Sequence, residues 1–281
     1  MTTDELITIL SRPVPDQADV LVRTRGMRDY PLLMVGRSND PLVSLERYGI
    51  AGQSYYSRPN SVDEVGLKDV PQTIFVRQSI AERLADINFE LQYNKAVEKI
   101  FGRKVELYVD DGLRSLKLQQ DLHDKLIPES LRKRHPKLSE KEILTWRDRL
   151  LAYPPKDTHD SPSPHMTGGA VDLKLRYVRE DQGYVPGSFV AMGTRSVQEM
   201  DAAAPDYYEH KSKMSAAEVN VRRNRRAFYW IMRGALLGRS SGFVCNPTEW
   251  WHWSYGDQLW AAHTQAPYAF YGTAKPPKSS I

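Results

Sequence analysis

Between Ser79 and Phe101, apolar residues recur at helical spacing. Leu84, Ile87 and Leu91 share one face, Val97 and Ile100 continue it, and charged residues occupy the rest. The pattern predicts a long helix ending at Gly102. Val105 to Val109 then alternates as a strand and runs into Asp110-Asp111-Gly112-Leu113-Arg114. Helical stretches follow from Leu116 to Leu131 and from Ser139 to Ala152, with Lys133 to Pro136 between them. Ala170 to Tyr177 reads as a strand with Val171, Leu173 and Leu175 on one face. Ser215-Ala-Ala-Glu218 is a capping box that opens a third long helix, ending near Gly238, with Phe228, Ile231 and Ala235 on its apolar side. Gly242 to Cys245 and Trp250 to Tyr255 read as two strands joined by Asn246-Pro247-Thr248.

Before Ser79 the pattern is weaker. A short helix from Asp4 to Ser11 precedes irregular or extended chain up to Pro59, in which Tyr55 and Tyr56 follow a glycine-containing turn and are expected to pack at the edge of a core. Tyr153 to Pro164 holds four prolines and reads as a loop, as does most of Tyr184 to Pro205. No repeat or linker divides the chain. The expectation is one α+β domain spanning 1–281, with a small, mainly antiparallel central sheet flanked by helices. Residues 1–21 are expected to be a peripheral extension and 273–281 a peripheral tail.

Composition narrows the class of function. The 281 residues are 41% hydrophobic and 26% charged, as expected of an ordinary globular chain. No stretch approaches the roughly 20 apolar residues of a membrane helix. Met1 to Arg12 carries Asp4 and Glu5 and does not read as a signal peptide, so the expected location is cytoplasmic, with no membrane partner. The single cysteine, Cys245, excludes an internal disulfide framework and a multi-cysteine zinc site. Net charge is only +4, and Arg222, Arg223, Arg225 and Arg226 fall on a predicted helix, where such a run reads as a solvated face. No nucleic-acid partner is expected.

Of seven histidines, two have suggestive surroundings, while His123, His135 and His210 sit in polar contexts that suit a solvated role. His165 lies in Ser163-Pro-His165-Met-Thr-Gly168-Gly169-Ala170-Val-Asp172, where small glycines let an imidazole and a carboxylate approach one point. Both groups are good Zn²⁺ ligands. His252 lies in Glu249-Trp250-Trp251-His252. A strict strand would put Glu249 and His252 on opposite faces, so bringing them together requires a bend just after Pro247. Burial beside indole raises a carboxyl pKa, which suits a general base working near neutrality. His165, Asp172 and His252 thus form a three-ligand set that leaves a fourth zinc position for water, with Glu249 beside it.

At these residues the sequence resembles the zinc D-alanyl-D-alanine dipeptidases of the vancomycin-resistance type, relatives of the zinc D,D-carboxypeptidases. Ser163, His165, Gly168, Ala170 and Asp172 match that family's Ser-x-His-x-x-Gly-x-Ala-x-Asp motif, and Glu249-Trp-Trp-His252 matches its Glu-x-x-His motif. The Asp-x-x-Arg-Pro element corresponds to Asp111-Gly-Leu-Arg114-Ser115, without the proline. Ala191 stands where many relatives carry an aspartate before Met192-Gly-Thr194, and the 180–188 loop is long.

The resemblance implies one Zn²⁺ per chain held in a cleft by His165, Asp172 and His252. Glu249 would activate water, Arg114 would stabilise negative charge on the tetrahedral intermediate, and Ser163 would help position substrate. It implies hydrolysis of a small peptide substrate, a D-Ala-D-Ala-type dipeptide in a pocket closed at both ends, with Tyr153 to Pro164 and 180–188 as candidate lids. The alternatives are a D,D-carboxypeptidase acting on peptidoglycan stem peptides and a non-catalytic zinc domain. Oligomeric state is left open.

Overall fold

The computed structural model of the chain describes residues 1–29, 31, 39–58, 72–155, 161–178, 188–194 and 200–275. In chain order its helices are α1 (Thr3–Leu10), α2 (Ala18–Thr24), α3 (Gln78–Tyr93), α4 (Lys95–Phe101), α5 (Leu116–Asp121), α6 (Ile127–Arg134), α7 (Glu140–Leu150), α8 (Met200–Ala203), α9 (Ala216–Met232) and α10 (Gln258–Thr264). Its strands are β1 (Leu42–Ser44), β2 (Ala51–Gly52), β3 (Phe75–Arg77), β4 (Val105–Asp111), β5 (Ala170–Tyr177), β6 (Val244–Asn246) and β7 (Glu249–Ser254). Five strands lie side by side in the order β2-β4-β5-β7-β6. Only β2 and β4 are parallel; the other pairings are antiparallel. The expected α+β class is the one adopted.

Period-two alternation gives this sheet two chemically different faces. Val171, Leu173 and Leu175 of β5 are fully buried, and their cross-strand partners Val109, Leu107 and Trp253 are buried with them. Against this face pack Ile80, Leu84, Ile87 and Leu91 of α3 and Phe228 and Ile231 of α9, in one continuous core. The alternate residues, Asp172 and Lys174, face the other way, into a cleft. The sequence pattern that builds the core therefore also commits Asp172 to the opposite side.

Several elements differ from expectation. The helix foreseen from Ser79 to Phe101 breaks at Asn94, whose φ of −85° and ψ of 118° are extended. The Asn94 side chain accepts the Ala96 N–H at 3.1 Å, a local bond that offsets the helical one given up. The stretch expected from Leu116 to Leu131 runs on to Arg134 and contains a π-helical segment, Leu122–Leu126. The helix foreseen up to Gly238 stops at Met232 and a separate 3₁₀ turn follows. β1, β2 and β3 were not foreseen, because two or three residues are too few to show alternation. Residues 1–21 are not peripheral in packing: Leu6, Leu10 and Val14 are buried in the main core.

Candidate metal centre

Three strands bring three acidic or imidazole side chains into one lateral row. Asp111 of β4 stands opposite Asp172 of β5, and Asp172 stands opposite His252 of β7. A register shift between Val109 and Asp111 is what brings Asp111 onto this row. His165 arrives from outside the sheet, on the 3₁₀ turn Pro164–Thr167 that leads into β5. Gly168 closes that turn at φ 72°, a conformation that favours glycine. The turn is tied to the chain after β4, since the Arg114 N–H donates to the His165 carbonyl at 3.1 Å.

The resulting cluster is tight and buried. Asp172 Oδ1 is 3.3 Å from His165 Nε2 and 3.1 Å from His252 Nδ1, and the two nitrogens are 3.0 Å apart. His165 and His252 are each 4% exposed. The other nitrogen of each ring is already engaged. His165 Nδ1 lies 2.9 Å from the Gly112 carbonyl, which can only accept, so Nδ1 carries the proton. Gly112 itself packs closely on β3 and the residue before it, for a Cβ there would sit 2.7 Å from the Phe75 carbonyl. His252 Nε2 lies 3.2 Å from Ser254 Oγ. In the neutral ring His165 Nε2 is then an acceptor facing the cluster, while the Ser254 hydroxyl, which can donate or accept, suits either tautomer of His252.

His165 Nε2 and Asp172 Oδ1 therefore face one another as acceptors, and among the described residues Asp172 Oδ1 has no hydrogen-bond partner. Such an arrangement is repulsive unless a cation lies between the atoms. Ligand atoms 2.0–2.1 Å from a tetrahedral zinc stand roughly 3.3 Å apart, which matches the spacing here. His165, Asp172 and His252 are accordingly a group that can hold a metal ion. The carboxylate of Asp172 is buried yet its pKa is well below the usual range, because the neighbouring imidazoles favour its charged form.

Glu249 reaches the same point through a distortion of β7. Cys245 pairs with Trp253, but the next residue, Asn246, pairs with Glu249, so Trp250, Trp251 and His252 bulge out of register. The departure from strict alternation thus lies within β7, after Glu249, and not just after Pro247. It sets Glu249 Oε2 3.7 Å from His252 Nδ1, while Asn246 Nδ2 donates to the same oxygen at 3.0 Å. Burial pushes the Glu249 pKa up, the nearby His252 pulls it down and the Asp172 charge raises it again; the result is a rise. Trp250 and Trp253 are buried in the core, and Trp251 lines the cleft.

Arg114 is buried and held on every side. It donates from Nη2 to Asp111 Oδ2 at 2.6 Å, from Nη1 to Gln119 Oε1 at 2.8 Å and from Nη2 to Tyr56 Oη at 3.0 Å. Its guanidinium also lies over the Tyr56 ring. Ser115, in the position of the missing proline, caps α5 by accepting the Leu118 N–H. Ser163 is 1% exposed, and its hydroxyl has no hydrogen-bond partner among the described residues. Tyr56, Gln119 and Ser254 carry no motif of their own in the sequence and were not singled out as site residues.

Two expectations about polar residues are corrected here. Arg225 is not on a solvated face: it is 3% exposed and donates to the carbonyls of Met192, Ala204 and Ala202 at 2.7–2.8 Å. Burial lowers its pKa to about 10. Together with Asn224, which donates to the Ala191 carbonyl, it pins the 191–194 segment as a wall of the cleft. Arg226 is paired with Glu209. His123, expected in solvent, is 1% exposed and packs against the Tyr153 ring at a tilt.

His165, Asp172, His252, Glu249, Arg114 and Ser163 open onto one cleft of about 1040 Å³, which Tyr56, Met192 and Trp251 also line. Of the candidate lids, 156–160 and 179–187 lie outside the described residues. No described helix is long and apolar enough to cross a membrane.

Comparison with known proteins agrees with the motifs. A family profile described as D-Ala-D-Ala dipeptidase matches residues 80–269, more than half of the chain. A curated D-alanyl-D-alanine dipeptidase from Synechocystis sp. is 38% identical over 112 residues, covering 38% of this chain and 40% of that protein. The match thus spans well under half of the relative's length. Among solved structures, a mutant of the vancomycin-resistance D,D-pentapeptidase VanY in complex with Zn(II) is 14% identical, with 73% of this chain and 86% of that one covered and a TM-score of 0.35. The LD-carboxypeptidase LdcB is 15% identical, with 86% and 80% covered and a TM-score of 0.35.

Proposed function

The chain belongs to the D-Ala-D-Ala dipeptidase family of metallopeptidases, and from that membership we propose that it is a zinc-dependent hydrolase of a D-Ala-D-Ala-type dipeptide. The observation that carries this reading is the convergence of three potential ligand atoms, His165 Nε2, Asp172 Oδ1 and His252 Nδ1, with Glu249 Oε2 3.7 Å from the last of them. These three residues would hold one zinc per chain. Bound there, zinc supplies Lewis acidity to the scissile carbonyl and lowers the pKa of water.

The chain's own groups divide the remaining work. Glu249, with its raised pKa, accepts the proton of the attacking water and returns it to the leaving amine. Arg114 offers a preorganised positive charge where the carbonyl oxygen becomes negative; its partners Asp111, Gln119 and Tyr56 hold it in place beforehand. The unpaired Ser163 hydroxyl is available to a polar group of the substrate. The Asn224–Arg225 clamp keeps the facing wall rigid, which limits the shapes that fit.

One observation favours a second reading. A cleft of about 1040 Å³ exceeds what two alanines require and leaves room for a longer peptide, as in D,D-carboxypeptidase action on stem peptides. Turnover of D-Ala-D-Ala, its N-acetyl derivative and a stem pentapeptide separates the two. A dipeptidase pairs the free ammonium and loses most of its kcat/KM on acetylation. Unchanged kcat/KM on the acetylated substrate would transfer the assignment to the carboxypeptidase, and no turnover of any of them would reject both.

A further inference from the structure

The Arg114 guanidinium has little left to give a substrate. Of the five N–H groups such a side chain carries, four are already placed. Nε and Nη2 both donate to Asp111 Oδ2, at 3.2 and 2.6 Å, Nη1 donates to Gln119 Oε1 at 2.8 Å, and the second Nη2 hydrogen goes to Tyr56 Oη at 3.0 Å. One Nη1–H remains. A guanidinium cannot accept, so the Tyr56 oxygen is the acceptor in that last bond and keeps its own proton for another partner. No described residue takes that proton.

The hydroxyl stands beside the candidate metal centre. Asp111 Oδ2, which holds the guanidinium, lies 3.6 Å from His165 Nδ1, and Tyr56 lines the same cleft as His165, Asp172 and Glu249. The Tyr56 ring is held in place: it meets Tyr55 edge-on at 5.5 Å, packs against Leu122 and Leu126, and has the guanidinium over its face at 5.3 Å. Fixing Arg114 does not by itself call for a tyrosine, because any acceptor would serve. Of its three partners, Asp111 is a carboxylate that takes two bonds from Arg114, and the fully buried Gln119 turns its amide to the Ala152 carbonyl. Tyr56 is the partner that carries a proton into the cleft.

We propose that the Tyr56 hydroxyl is a catalytic hydrogen-bond donor to the substrate oxygen that becomes negative when the scissile carbonyl is attacked. It acts beside the remaining Nη1–H of Arg114. Accepting from a cation polarises its O–H and makes it a stronger donor than an isolated phenol. No proton is transferred: the hydroxyl donates, keeps its proton and goes on accepting from Arg114. The bond strengthens as charge develops on the oxygen, so it stabilises the transition state more than the bound peptide. The inference rests on the hydrolase reading given under Proposed function and adds a second donor to it.

The test is Tyr56→Phe in the zinc-loaded full chain, which keeps the ring under the guanidinium and removes only the hydroxyl. On the peptide that wild type turns over fastest, kcat is expected to fall about 10²–10³-fold, with KM and zinc content near wild type. Affinity for a phosphinate dipeptide analogue, whose tetrahedral centre mimics the intermediate, should fall by a similar factor in calorimetry. A tyrosine that only holds Arg114 predicts otherwise: once Arg114→Lys has removed the guanidinium, Tyr56→Phe would cost nothing more, whereas a direct donor costs about tenfold or more again in the double variant. Should the phenylalanine variant misfold, a fluorinated tyrosine at position 56 keeps the hydroxyl as a stronger donor, and kcat at or above wild type is expected; a clear fall overturns the proposal. Unchanged kcat or phosphinate affinity in Tyr56→Phe, or a double variant no slower than Arg114→Lys, overturns the role of Tyr56 and leaves the hydrolase reading standing. A wild-type chain that turns over none of the peptides and does not bind the phosphinate overturns that reading, and this inference with it.

Discussion

Asp172 and His252 are direct cross-strand partners on β5 and β7, and their facing atoms, Oδ1 and Nδ1, lie 3.1 Å apart. The sheet itself is therefore the scaffold for two of the three candidate ligands, and only His165 depends on a turn. A site built this way is as rigid as the ladder of hydrogen bonds beneath it.

Zinc content should follow the three ligands. Protein purified without chelator is expected to carry close to one zinc per chain by elemental analysis. His165→Ala and His252→Ala should lose it, because two remaining ligands do not make a stable zinc site.

Glu249 should separate binding from chemistry. Glu249→Gln preserves the bond from Asn246 Nδ2 but cannot accept a proton, so zinc content should stay near wild type while kcat falls about 10²–10⁴-fold. Parallel loss of zinc and activity would reassign Glu249 to the ligand set.

Arg114 has a structural and a catalytic share, and two substitutions divide them. Arg114→Ala strands the buried Asp111 carboxylate, which is expected to cost about 3–5 kcal/mol by chemical denaturation. Arg114→Lys keeps the charge but not the three-sided grip; kcat is expected to fall about 10²-fold or more with a smaller stability loss. Wild-type kcat in Arg114→Lys would remove Arg114 from the mechanism.

His263 gives stability a pH dependence of predictable sign. Burial, with Arg233 and Arg23 nearby, lowers its pKa from 6.5 to about 4. The folded state thus disfavours the protonated ring, so its contribution is complete above pH 6.5 and declines as pH falls from 6.5 towards 4. Melting temperatures across that window should fall less steeply for His263→Gln than for wild type; equal slopes would contradict the assignment.

Much of this was legible in the sequence, for specific reasons. The alternation Val171, Leu173, Leu175 marked β5 and the face it buries, and the same period of two leaves Asp172 for the other face. The periodicity of Leu84, Ile87 and Leu91 marked α3. Ser215 with Glu218 marked the start of α9. The motifs at 163–172 and 249–252 brought His165, Asp172, His252 and Glu249 together as candidates, and the structure places their side chains around one point.

The remainder was not encoded locally. Asn94 looked like one more helical residue until its side chain bonded Ala96 N–H. Arg225 looked like part of a basic run, because whether an arginine meets water or three carbonyls depends on what packs over it. Tyr56 and Gln119 became partners of Arg114, and Ser254 became a partner of His252, through contacts that no short pattern records.

By itself the sequence determined which face of each strand is apolar and which residue types are available for chemistry, since both follow from composition at a fixed period of two or 3.6. Only the tertiary structure decided the register that sets Asp172 opposite His252, the bulge that turns Glu249 toward them, and the bond to the Gly112 carbonyl that turns His165 Nε2 to the same point. Those depend on pairing between segments far apart in the chain, where the free energy of one residue is set by neighbours its own sequence does not name.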